Sequence, residues 1–353
     1  MKEEDEMSED GQTTAIGESD VRQWIESLSN WGRWGANDRR GTLNFITPQK
    51  RMSALRAVRQ GLTVSCGWDI RHGDTVGNRV APQRWMARTG LGHNDPEPPT
   101  GRLTVDGDAS TASEFISMVF HGVAITHLDA LSHVHWRGKM YGGVPSSYVT
   151  DRDGATVHDV REASQGIQTR GVLLDIARLR GHQSLPIDYA ITPADLEDAE
   201  RAQGVRVESG DVLLVRTGDG RRRLTEVGKA HPSANRSGST ALPGSSSKSG
   251  WDPVNNGQPG LHAACLPWLH EREVAALGSD GPQEVRPSPF QGMALPVHTV
   301  AIVAMGMWLL DNCQLEDLAA ECDNLQQWSF LFTASPVRLV GATGSPVNPL
   351  ATL

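Results

Sequence analysis

Three imidazoles and one carboxylate fall within thirteen residues of this chain, in the run His121-Gly122-Val123-Ala124-Ile125-Thr126-His127-Leu128-Asp129-Ala130-Leu131-Ser132-His133. In a strand, alternate side chains share a face, so extended backbone through Asp129 would bring His121, Val123, His127 and Asp129 towards one spot, with His133 at the strand's end. Imidazole nitrogen and carboxylate oxygen suit zinc, manganese or iron. An imidazole also titrates near neutrality and can move a proton. Any one of these histidines alone reads as an ordinary hydrogen-bonded polar residue. Their clustering around an Asp points to a metal or acid–base site.

Such a site needs a rigid scaffold, and the flanking pattern predicts one. Short β-like runs are expected at Leu62–Cys66, Phe115–Phe120, Gly171–Asp175, Asp211–Arg216 and Val274–Leu277. Helices are expected from Val21, from Thr47-Pro48 through Ala54, Leu55, Val58 and Leu62, from Thr192-Pro193, and over Leu266–Arg272. Thr followed by Pro supplies a cap residue and a pre-set first helical position. The class is mixed α and β. Residues 1–20 are acidic and aperiodic and are expected to form a mobile tail, leaving 21–353 as one main domain. Within it, the Ser-, Gly-, Pro- and Asn-rich stretch 233–260 is expected to be a long surface loop. The neighbouring Arg221-Arg222-Arg223 reads as a solvated loop face, with steering of an anionic substrate as the sharper alternative.

The formal net charge of −9 argues against extended contact with nucleic acid and against adhesion to anionic lipid. No apolar run approaches the ~20 residues a membrane span needs, and the start Met1-Lys2-Glu3-Glu4-Asp5-Glu6 lacks a signal peptide's basic segment. A cytoplasmic protein is expected. Cys66, Cys265, Cys313 and Cys322 are too scattered for a zinc knuckle and are expected to be reduced and mostly buried. Most of the ten tryptophans are expected in the core, with Trp136 the candidate to line an aromatic pocket.

The histidine-rich run resembles the signature H-x-G-T-H-x-D-x-P-x-H of the cyclase family, whose relatives include kynurenine formamidase and isatin hydrolase. Thr126, His127, Asp129 and His133 carry the match. Further stretches resemble the long bacterial branch of that family: Trp34–Asp38 with Gly41–Asn44, Gly171–Asp175, Arg216–Gly218, Gly278–Asp280 and Gly344–Pro349. The resemblance implies a swivelling β/β/α-type fold, a mixed sheet flanked by helices, and a homodimer or larger oligomer. It implies His127 and Asp129 as ligands of a divalent metal, zinc or manganese, and His133 as the catalytic base. It also implies a second ligand pair, His298 and Asp311. Taken alone, His298 would be a polar residue at a helix start and Asp311 a strand-end turn residue.

The first signature histidine falls on Val123, the Gly on Ile125 and the Pro on Leu131. Valine cannot ligate, so either His121 takes over, or Asp129, His298 and Asp311 hold the ion with or without His127, or the metal is lost. The activity implied is metal-dependent hydrolysis of a non-peptide C–N bond in an aryl formamide or a cyclic amide or imide. Two rivals are a cyclase or dehydratase of a polyketide-like pathway, with or without metal, and a non-catalytic binding protein on the same fold.

Overall fold

The computed structural model describes residues 16–73, 80–89, 111–230 and 257–353. Its core is a nine-stranded mixed sheet built from β1 (Thr63–Ser65), β2 (His127–Asp129), β3 (Ile167–Asp175), β4 (Val212–Arg216), β5 (Ala276–Ser279), β6 (Trp308–Asp311), β7 (Ser329–Ala334), β8 (Gly344–Pro346) and β9 (Leu350–Thr352). In space the order is β1-β9-β7-β3-β4-β5-β6-β2-β8. The middle strands β3, β4, β5 and β6 run parallel. Every residue of β4, β5 and β6 is buried, as strands covered on both faces require, and their Val- and Leu-rich sequences follow from that. Antiparallel strands close the two ends, β7, β9 and β1 at one and β2 and β8 at the other. This is the mixed sheet with flanking helices implied by the resemblance.

Helices α1 (Glu18–Ser27), α2 (Pro48–Leu55), α3 (Pro193–Gln203), α4 (Asp219–Ala230), α5 (Cys265–Glu271) and α6 (Glu316–Leu325) flank the sheet. The Thr47 side chain accepts the Lys50 amide, and Thr192 with Asp195 forms a reciprocal capping box, the use their sequence suggests. Helix α2 stops at Leu55 instead of running to Leu62. The Gln60 and Gly61 amides both bond the Leu353 carbonyl, at 3.1 and 2.8 Å, and Gly61 has φ +69°, so the chain turns directly into β1. Residues 1–15 of the expected tail lie outside the described residues. Beyond them order begins at once, since α1 opens at Glu18.

Most of the expected loop 233–260 also lies outside the described residues. Its last part is structured: Gln258 is buried, and Gly260–Leu261 pairs in parallel with Ala190–Ile191. The arginine run is not a loop face. It lies in α4, where Arg222 pairs with Asp219 and Arg223 is buried. The four cysteines are free and buried. The Trp136 ring is taken up by the guanidiniums of Arg22 and Arg137, 5.3 and 5.4 Å from its centroid. No helix among the described residues is long and apolar enough to cross a membrane.

Candidate metal centre

Strand β2 is only three residues long and sits between β6 and β8. Asp129 is opposite Leu309 and Gly344, and His127 is opposite Asp311 and Pro346. The expected strand from His121 to Asp129 is therefore not formed, because residues 121–126 are bends and irregular backbone. Side chains take over the hydrogen bonds a ladder would have made. Asn312, at φ +57°, donates to the carbonyls of Gly122 and Ile125 at 2.8 and 3.2 Å. Arg223 donates to the carbonyl of Val123 at 2.6 Å, and the Thr126 hydroxyl donates to the Asn312 carbonyl at 2.6 Å. The loop carries His121 back over the sheet, so proximity arises through a fold-back and not through alternation.

All five histidine and aspartate positions singled out with His133 converge. His121 Nδ1 lies 3.0 Å, His127 Nε2 3.4 Å and His133 Nε2 3.8 Å from Asp129 Oδ1. His298 Nε2 lies 3.6 Å from Asp129 Oδ2 and 3.3 Å from Asp311 Oδ2. Two donor groups result, His121–Asp129–His133 and His127–Asp129–Asp311, sharing Asp129. His121 and His133 stack with centroids 3.9 Å apart and planes 5° from parallel. His121 fits because position 344 is glycine: a Cβ there would stand 2.7 Å from His121 Cε1 and 2.5 Å from the Leu128 carbonyl oxygen. His298 and Asp311 do occupy a helix turn, Pro296–His298, and a strand end, so their ordinary placement and their place in the cluster coincide. His135 is exposed and bonds the Ser132 carbonyl.

The outward nitrogens are tied down. His127 Nδ1 donates to the Ile125 carbonyl at 2.8 Å, His298 Nδ1 to Glu284 at 2.5 Å, and His121 Nε2 meets the Thr343 hydroxyl at 3.1 Å. With the proton on the outer nitrogen of each ring, His121 Nδ1 and His127 Nε2 turn a lone pair towards Asp129. Yet Asp129 is fully buried and neither of its carboxylate oxygens has a hydrogen-bond partner; nor does His121 Nδ1, whose 3.0 Å approach lacks hydrogen-bond alignment. Lone pairs facing an unsatisfied buried carboxylate are costly unless a cation lies between them. The donor set therefore fits a divalent ion bound by nitrogen and oxygen.

The electrostatics agree. Burial works to raise the Asp129 carboxyl, but His133, His121 and His127 around it hold it below the usual carboxylate range. Burial pushes His133 down to about 4, against the pull of Asp129, which leaves it neutral at pH 7. Burial disfavours charge on His298 too, yet Glu284 and Asp311 against it raise it well above the usual imidazole range. The same ring draws the carboxyls of Glu284 and Asp311 down against their burial.

Sequence reasoning missed Glu284, Gln283 and Thr343, and it singled out Gly344 only as the start of a family-like stretch, without its packing against His121. Gln283 donates to Asp311 Oδ1 at 2.7 Å and to the Leu310 carbonyl at 3.0 Å. No periodicity marks these residues, and the available signal is their closeness to family-like stretches, Gln283-Glu284 after Gly278–Asp280 and Thr343 just before Gly344–Pro349.

The Cyclase family model matches residues 62–283. The chain belongs to the cyclase family. Among solved structures, one described as a novel cyclase shares 31% identity at a TM-score of 0.74, covering 93% of this chain and 99% of that one. Isatin hydrolase A from Labrenzia aggregata, bound to benzyl benzoate, shares the fold at 19% identity and a TM-score of 0.52, covering 86% and 99%. An isatin hydrolase bound to the product analogue thioisatinate does so at 16% identity and a TM-score of 0.52, covering 87% and 99%. No curated protein matches the chain in sequence.

The cyclase-family stretches noted in the sequence prove to brace one another. Arg216 pairs with Asp175 and Glu316, each at 2.8 Å. Asp280 accepts the Thr217 amide at 2.9 Å and the Gly218 amide at 2.6 Å. Asp38 accepts from Gly41, Asn44 and the Tyr141 hydroxyl.

Proposed function

We propose that this cyclase-family protein is a metal-dependent hydrolase of a non-peptide C–N bond, in an aryl formamide or a cyclic amide or imide. The observation that carries the reading is the buried Asp129 carboxylate, without hydrogen bonds, at the meeting point of four imidazoles. His127, Asp129 and Asp311 would hold the ion, with His121 supplying the nitrogen that Val123 cannot and His298 closing the far side. Zinc and manganese suit this mixed nitrogen and oxygen set. The chemistry a divalent cation supplies in such a place is polarisation of a carbonyl and acidification of water.

His133 is assigned as the base because its Nε2 stands farthest from Asp129, at 3.8 Å, on a ring that retains 28% exposure. Neutral near pH 7, it can take a proton from the attacking water. That proton passes to the leaving nitrogen as the C–N bond breaks, giving an amine, or an amide from an imide, and a carboxylic acid that releases its proton to solvent. Stacking on His121 fixes the plane of the ring while the transfer occurs.

Elemental analysis of tag-free protein, beside Asp129→Ala, tests the cation. Near-stoichiometric zinc, manganese or iron lost in the variant supports the reading, and a screen of formanilides, lactams and cyclic imides then tests the substrate class. Protein that binds no divalent ion even after re-addition overturns it. A homo-oligomer belongs to the same proposal: Trp85, Phe115 and Ile116 are exposed on the strand pair Gln83–Arg88 and Ser113–Ser117, and light scattering during gel filtration reads the mass.

A further inference from the structure

Glu284 is fully buried, and both of its carboxylate oxygens are spent on one residue. Oε1 accepts the backbone amide of His298 at 3.2 Å, and Oε2 takes the ring Nδ1 at 2.5 Å. The Glu284 backbone is itself anchored, by a parallel bridge to Leu261 and by the Gln258 side chain, which donates to the Glu284 carbonyl at 3.0 Å. The carboxylate thus grips His298 at two points from a fixed base. On its other side the ring turns Nε2 towards Asp311 Oδ2 and Asp129 Oδ2, at 3.3 and 3.6 Å.

We infer that Glu284 is a positioning residue for the cation: it fixes the tautomer and the plane of His298 so that Nε2 is offered to the space between Asp129 and Asp311. The inference rests on the metal-dependent reading above. A ring that gives Nε2 to a cation keeps its one proton on Nδ1, and that proton then needs an acceptor. Glu284 is the acceptor, and its negative charge makes the ring a stronger donor at Nε2. The isosteric amide introduced by Glu284→Gln has one oxygen for two N–H donors. It would satisfy either the ring or the backbone amide, and it carries no charge.

The test uses the full chain, stripped by chelator, with Zn²⁺ and Co²⁺ titrated in competition with a chromophoric chelator. Four forms are compared: wild type, Glu284→Gln, His298→Ala and the double variant. Outer partners of metal-bound histidines contribute about 10- to 100-fold in affinity, so Glu284→Gln is expected to bind Zn²⁺ weaker by that factor. Its Co²⁺ complex is expected to shift in visible absorption, while the melting temperature of the cation-free form falls, because the buried His298 ring loses the carboxylate paired with it. Because Glu284 acts through His298, adding Glu284→Gln to His298→Ala should cost no further affinity.

Wild-type affinity and spectrum in Glu284→Gln would overturn the inference, and so would an extra loss in the double variant, which would assign Glu284 to packing. Should Glu284→Gln fail to fold, Glu284→Asp keeps the charge at shorter reach and is read by the same criteria. Asp129→Ala separates the two claims. Binding that depends on Asp129 but not on Glu284 defeats this inference alone, whereas a wild type that binds neither ion defeats the metal-dependent reading with it.

Discussion

Replacing Asp129 by Asn keeps the shape of the side chain and removes the charge on which both donor groups depend. A ligand that binds only the folded state stabilises it by about 2.7 kcal/mol when present at about 100 times its dissociation constant. Unfolding entropy runs at about 2.1 cal/mol/K per residue, so a chain of 353 residues has about 0.7 kcal/mol/K. Dividing the two, zinc or manganese in that excess should raise the melting temperature of the wild type by about 4 °C. In Asp129→Asn the rise should nearly vanish, because the amide cannot balance a dication between the two groups. Scanning calorimetry with chelator and then with graded metal gives both numbers on one preparation. An equal rise in both proteins would refute the placement of the ion at Asp129. No rise in either, at any concentration, would refute the cation itself.

His133→Ala should retain metal content by elemental analysis while turnover falls by about 100-fold or more, the usual scale for a general base; equal loss of metal would move His133 among the ligands. Arg216→Met should lower stability by about 3 kcal/mol or more in urea unfolding, because it leaves the buried Asp175 and the largely buried Glu316 without their shared cation. Gly344→Ala should weaken Zn²⁺ binding in the chelator competition, since the new methyl group occupies the space of the His121 ring; unchanged affinity would show that His121 is dispensable.

What can be read in advance follows from which signals are local. Caps and apolar runs are local, and so α1, α3, α5, β1, β3 and β4 stand near where the pattern places them. The early end of α2 is not legible, because the acceptor that turns the chain there is the carbonyl of Leu353, almost three hundred residues away in sequence. Within the centre, His127, Asp129 and His133 are close in sequence, and His298 and Asp311 come from the resemblance. The gathering of His121 is anticipated for the wrong reason: a loop stapled by Asn312 and Arg223 brings it in, where alternation along an extended strand would have done so. Glu284 bonds a ring fourteen residues on and Thr343 one that lies 222 residues before it, and a single sequence carries no mark of such pairings.

The placement of β2 between β6 and β8 has a consequence for biosynthesis. Its three residues are held at one edge by 309–311 and at the other by 344–346, so the pairing partners of His127 and Asp129 are translated about two hundred residues after them. A nascent chain can display the histidine-rich run long before it can display the cage. On the metal-dependent reading proposed above, capture of an ion by the whole donor set would follow emergence of strands β6 and β8 from the ribosome, and the choice among metals would fall to a folded pocket instead of to a flexible peptide.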